Sequence, residues 1–307
     1  MREELRARQA AAAGRGEPLA REPEADDLLA LDAGKGPGHA EKLAGSAALR
    51  KGLGRVAQPY YSRRMDIYGR LAPHYDQLFP VGEMQASFLR ERLRAAGARR
   101  VLDAGCGSGR HLELLRDWGL AAVGLEPDAQ IAERARERLG AGTPVIVAPL
   151  ESAGFVLAGP FGAALCLGNT LAHLVAPSAL AAGLGALAGL LAPRALLVTQ
   201  TVNFDRVLAA GRSDFPERRI PDGAGGTLVF RRDYDFSRAP ARLGFRLSLS
   251  GPSLALSDTI PLLPLTRADQ EAALAAAGFS VDEACGDWDG SPWSANSPAT
   301  ILLARRR

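Results

Sequence analysis

The stretch Val101-Leu102-Asp103-Ala104-Gly105-Cys106-Gly107-Ser108-Gly109-Arg110-His111 decides how the rest of the chain reads. The apolar run from Arg100 to Ala104 predicts a short buried strand. Three glycines at alternate positions break it, and Leu112, Leu114 and Leu115 begin a helix. Strand, glycine turn and helix are the first half of a βα unit. Glycines serve where the backbone takes positive φ or where a ligand lies against the main chain. Such a turn delivers that ligand to the positive end of a helix, beside unpaired N–H groups.

The spacing G-x-G-x-G departs from the dinucleotide fingerprint G-x-G-x-x-G, because Arg110 stands where the last glycine would be. Asp103 lies two positions before Gly105. A carboxylate there repels a pyrophosphate and attracts an ammonium or sulfonium. The second strand, Ala121-Ala122-Val123-Gly124-Leu125-Glu126, ends in a carboxylate about twenty residues after the glycines, the place from which an acid accepts hydrogen bonds from ribose hydroxyls. Pro127 ends that strand and Asp128 is a good N-cap for the next helix. On these residues the chain resembles the class I S-adenosylmethionine-dependent methyltransferases. S-adenosylmethionine carries both cationic groups and no phosphate. The resemblance places Asp103 at its methionyl ammonium, Gly105 and Gly107 against it, and Glu126 at its ribose.

Composition bounds the alternatives. The 307 residues suffice for one large domain or two small ones, and 47% hydrophobic content permits a substantial core. A formal net charge of +3 is too small to argue for a nucleic-acid or membrane surface. Cys106, Cys166 and Cys285 have no metal-ligand spacing; reduced thiols in a cytoplasmic protein are the simple reading, with no metal. The richest apolar run, Leu180 to Leu191, is too short to span a membrane. The start has no apolar signal core, and its acidic residues argue against a transit peptide. Residues 1–64 are rich in Ala, Gly, Arg and Glu, and read as a disordered or loosely helical extension.

The folded domain is expected over 65–305. Tyr68, Leu71, Tyr75, Leu78 and Phe79 recur at helical spacing, as do Phe88, Leu89 and Leu93, with Pro80 between the two helices. Arg-Leu-Ala-Pro-His-Tyr-Asp before the core resembles a flap that closes over the cofactor in the family, which puts Tyr75 there; a core stripe is the other reading. A third strand is expected over 143–148. By resemblance the turn after it meets the adenine through a backbone N–H, here that of Leu150, but Pro149 stands where an acid is usual. The fourth strand, 161–167, ends at Leu167, which the resemblance counts among the cofactor contacts. The segment Cys166-Leu167-Gly168-Asn169-Thr170-Leu171-Ala172-His173-Leu174 is similar to that of the glycine N-methyltransferases and related small-molecule enzymes. This likeness assigns Asn169 to the substrate and His173 to the cofactor, both as catalytic candidates. A helix cap and a packing residue are the plainer readings of the pair. Asn203-Phe204-Asp205 resembles the same family, but the preceding position, an Arg in that family, is Val202 here, so glycine itself is not expected as substrate.

After a fifth strand at 195–202 the alternation of strand and helix lapses. Strands over 227–236, 242–250 and 254–262 imply an antiparallel insert at 211–264, either a roof over the substrate or a surface for a homodimer. Thr266 caps a helix that runs to Ala277, and strands over 279–285 and 299–304 close the chain. Trp288 and Trp293, in the connection between them, line the pocket mouth or pack on the insert. The expected architecture is α/β, a doubly wound, mostly parallel seven-stranded sheet of the Rossmann-like methyltransferase kind, with an inserted antiparallel β sub-domain. The expected activity is methyl transfer from S-adenosylmethionine to nitrogen or oxygen of a small molecule, with neither nucleic acid nor membrane as partner. A nicotinamide-dependent reductase, a nucleic-acid or protein methyltransferase and a non-catalytic cofactor-binding scaffold or sensor are the competing readings.

Overall fold

The computed structural model describes residues 66–213 and 215–307; the expected N-terminal extension lies outside them. The chain runs α1 (Asp66–Leu71), α2 (Tyr75–Leu78), α3 (Glu83–Ala95), β1 (Arg100–Ala104), α4 (Arg110–Asp117), β2 (Ala121–Glu126), α5 (Ala129–Leu139), β3 (Val145–Val147), α6 (Ala153–Val156) and β4 (Phe161–Cys166). It continues α7 (Pro177–Leu190), β5 (Leu191–Val202), α8 (Phe204–Ala210), β6 (Arg218–Pro221), β7 (Thr227–Asp235), β8 (Leu243–Ser250), β9 (Ala255–Leu262), α9 (Arg267–Ala276), β10 (Phe279–Cys285) and β11 (Ala299–Arg306).

The seven-stranded sheet has the order β10-β11-β5-β4-β1-β2-β3. β3, β2, β1, β4 and β5 are mutually parallel, whereas β11 runs antiparallel to both neighbours. The central strands are buried on both faces, which explains their continuous apolar runs. Strand order reverses between β1 and β4, so their carboxyl ends open a crevice where ligands of such sheets bind. One core layer holds Leu102, Phe161, Leu184 and Phe279. The other holds Leu89, Val101, Leu115 and Ile301.

The insert is a four-stranded antiparallel sheet, β6-β7-β8-β9. Its inner face, with Phe230, Tyr234, Leu247 and Ile260, packs with Ile67, Leu71 and Leu78 of the first two helices and Phe204 of α8. The expected three strands gain a fourth, β6. Its sequence Arg218-Arg219-Ile220-Pro221 offers one large apolar residue and a proline that pairs only as an edge. The expected first helix is divided by a 3-10 turn at Ala72–His74 with Pro73 in its first turn. β5 begins at Leu191 rather than Ala195, because Leu191 pairs with Phe161 beyond a bulge. α9 has its capping box, with Thr266 accepting from the Asp269 amide and the Asp269 carboxylate accepting from Thr266. Among the described residues no helix is long and apolar enough to cross a membrane.

Candidate active site

The glycine loop after β1 is held from two sides. The Gly105 and Cys106 amides both donate to the Leu125 carbonyl, at 2.7 and 3.0 Å. The Gly107 amide donates to Glu126 Oε2 at 2.9 Å, and Glu126 Oε1 accepts from the Asp128 amide at 3.0 Å. Two of the glycines are demanded by space as well as by positive φ. A Cβ on Gly105 would run into the Thr170 hydroxyl, and one on Gly107 would meet the Tyr75 ring at 3.2 Å. Tyr75 therefore lies directly against the loop.

Beside the loop lies a cavity of about 380 Å3, a size that suits a compact organic ligand. Of the residues singled out in the sequence, Tyr75, Gly105, Gly107, Glu126, Leu150, Leu167 and His173 line it. Asp103 and Asn169 do not. Asp103 is buried at the end of β1, and its Oδ2 has no hydrogen-bond partner. Burial, reinforced by the nearby Glu126, pushes its carboxyl up to about 7. Glu126 is also pushed up to about 7 by burial, although two backbone amides work in the opposite direction.

Asn169 sits just past the end of β4, outside the cavity lining. It adopts φ 69°, and its Oδ1 accepts from the Val202 amide at 2.6 Å. Asn169 stands at the N-cap of the 3-10 turn Thr170–His173, but its side chain makes no cap bond there. The amide instead ties the end of β4 to the end of β5. Gln200, whose side chain accepts from the Gly168 amide at 2.8 Å, occupies the wall instead.

His173 is neutral: burial lowers its imidazole to about 4. Its Nε2 pairs with the Tyr68 hydroxyl at 3.3 Å, while buried Nδ1 has no partner. Tyr68, Phe79 and Phe230 form a run of edge-on rings leading from His173 to the insert. Arg218 and Arg232 complete the wall from that side. Gln200 and the two arginines carry no motif signal. Of the two tryptophans, Trp288 joins the wall, whereas Trp293 donates to Thr300 at 3.0 Å. The turn after β3 brings Ala148 and Leu150 to the cavity.

A second set of contacts locks the N-terminal helices onto the loop. Asp76 accepts from the Ser108 hydroxyl at 2.5 Å and pairs with Arg138, which also donates to the Ser108 carbonyl at 2.9 Å.

An orphaned buried carboxylate, a second carboxylate facing the cavity and a bare backbone beneath Tyr75 fit a cationic nucleoside without phosphate. With this strand order they point to a methyltransferase domain that takes S-adenosylmethionine.

Comparison with known proteins agrees. Residues 101–194 match the family described as "Methyltransferase domain". A malonyl-[acyl-carrier protein] O-methyltransferase of Enterobacter lignolyticus is 38% identical over 94 residues, covering 29% of this chain and 38% of that protein. A dTDP-3-amino-3,6-dideoxy-alpha-D-glucopyranose N,N-dimethyltransferase of Streptomyces fradiae is 27% identical over 200 residues, covering 62% of this chain and 74% of its own. The solved sugar N-methyltransferase of a Streptoalloteichus species superposes with a TM-score of 0.58 at 25% identity, over 76% of this chain and 93% of that one. Residues 101–194 are thus a methyltransferase domain, and S-adenosylmethionine is its cofactor.

Proposed function

We propose that the protein moves a methyl group to a nitrogen or oxygen of a small molecule bound between the glycine loop and the antiparallel insert. What carries the reading is Glu126, a buried carboxylate bonded to the Gly107 amide at 2.9 Å and facing the cavity. In this reading Glu126 holds ribose, the orphaned Asp103 attracts the methionyl ammonium, and Gly105 and Gly107 give close approach. Leu150 and Leu167 flank the adenosyl part, and Tyr75 covers it. Bound S-adenosylmethionine supplies the methyl electrophile and its leaving group.

The chain's part is to orient the acceptor and exclude water. His173, lowered to about 4, is a poor base at neutral pH and serves as a hydrogen-bonding group beside Tyr68. An amine acceptor that arrives neutral needs no base, and the dimethyltransferase relative, whose name specifies an amino sugar, favours nitrogen. Three buried free thiols fit a cytoplasmic location.

The test is titration of the full chain with S-adenosylhomocysteine. Glu126→Ala is expected to weaken binding about tenfold or more, with folding checked by thermal melt. An unchanged affinity removes Glu126 from the site. Turnover of labelled cofactor with a panel of small amines and acids then separates an enzyme from a scaffold.

A further inference from the structure

We propose that the cavity wall supplied by the antiparallel insert is an anion subsite, where Arg232 and Arg218 take a carboxylate or phosphate of the methyl acceptor. The inference rests on the methyl-transfer reading and narrows its substrate class.

The two-residue period of β7 puts Leu228, Phe230, Arg232 and Tyr234 on one face, the inner one. An arginine is out of place there. Its guanidinium lies 4.8 Å from the Phe215 ring and 5.3 Å from the Phe230 ring. Its buried Nε has no hydrogen-bond partner. Three carboxylates of the insert are engaged elsewhere: Glu217 pairs with Arg219 and Arg231, and Asp233 and Asp235 pair with Arg246. Among the described residues none pairs with Arg232.

Its charged neighbour is another cation. Arg218 Nη1 donates to the Leu78 and Gln77 carbonyls at 2.9 and 3.2 Å, which fixes that side chain at the wall. Among the described residues Glu126 is the acidic one of the cavity wall, and backbone amides hold both of its oxygens. The wall at the insert is thus a partly desolvated positive region with no counterion among the described residues, an arrangement that is costly until an anion enters. The flat guanidinium, steadied by two rings, suits two-pronged capture of a carboxylate or phosphate.

The test uses the full chain saturated with S-adenosylhomocysteine and titrated separately with inorganic pyrophosphate and with acetate. Ionic strength is held constant, and the fluorescence of the wall residue Trp288 follows binding. Saturable binding of either probe is expected, weakened about tenfold or more by Arg232→Gln, while S-adenosylhomocysteine affinity stays within about twofold. Saturation by pyrophosphate assigns a phosphate-bearing acceptor, and saturation by acetate a carboxylate. Arg232→Lys, which keeps the charge but loses the fork, is expected to fall between the two and serves if Arg232→Gln does not fold. No saturation in the wild type, or equal affinity in wild type and variants, overturns the subsite. If S-adenosylhomocysteine itself does not bind, the methyl-transfer reading falls, and the same titrations without it still decide the arginine site.

Discussion

Asp103 and Glu126 are two acids whose carboxyls sit near 7 because both are buried, with Glu126 adding to the rise at Asp103. A carboxyl raised in this way makes the ligand-free protein less stable as pH rises from about 4 through 7, since the unfolded chain ionises first. A bound cation reverses that preference. S-adenosylhomocysteine affinity is therefore expected to rise between pH 6 and 8, and Asp103→Asn to flatten much of the rise; calorimetric titration across that range checks it. A flat wild-type profile would separate Asp103 from the ammonium. Gly107→Ala forces φ 54° on a residue with a Cβ and presses that Cβ on the Tyr75 ring. A loss of about 1–2 kcal/mol in urea unfolding is expected, with weaker cofactor binding.

Elements carry the next set of consequences. α2 is held on the glycine loop by Asp76, through Ser108 and Arg138. Asp76→Asn removes the ion pair and keeps an acceptor. It is expected to raise the KM for S-adenosylmethionine several-fold with little change in kcat, as a loss of uniform binding does. Equal loss in kcat would mean that the helix acts on the reacting atoms. The junction of β4 and β5 is held by Asn169. Asn169→Gly keeps the left-handed turn but orphans the Val202 amide, at an expected cost of about 1 kcal/mol of stability, read by thermal unfolding. Unchanged stability with a weakened acceptor KM would return Asn169 to the substrate.

At the scale of the whole molecule, the insert shares one layer of packing with the N-terminal helices and α8. Phe230 is fully buried there, against Phe79 from the N-terminal segment, with ring centroids 5.6 Å apart. Phe230→Ala is expected to cost about 3–5 kcal/mol, seen as a large drop in melting temperature. Because Phe79 also packs on Tyr75 and Tyr68, the variant should lose cofactor affinity too. A separate melting step for the insert would show instead that the sheet folds on its own.

Local order in the chain was enough for the sheet and the glycine loop. Alternating glycines, a carboxylate closing β2 and apolar runs at strand length are set by neighbours along the chain, so the parallel sheet, Glu126 and the α9 cap were all legible. The partners of Asn169, the orphaned Asp103 and the inward turn of Arg232 were not. Each depends on which residue, tens of positions away, comes to lie within a few ångströms, and no local pattern encodes that distance. Charge at Arg232 looked like one more surface arginine in sequence. Only the pairing of β6 and β7, with their inner face on Phe79 and Leu78, put it on the wall of the cavity.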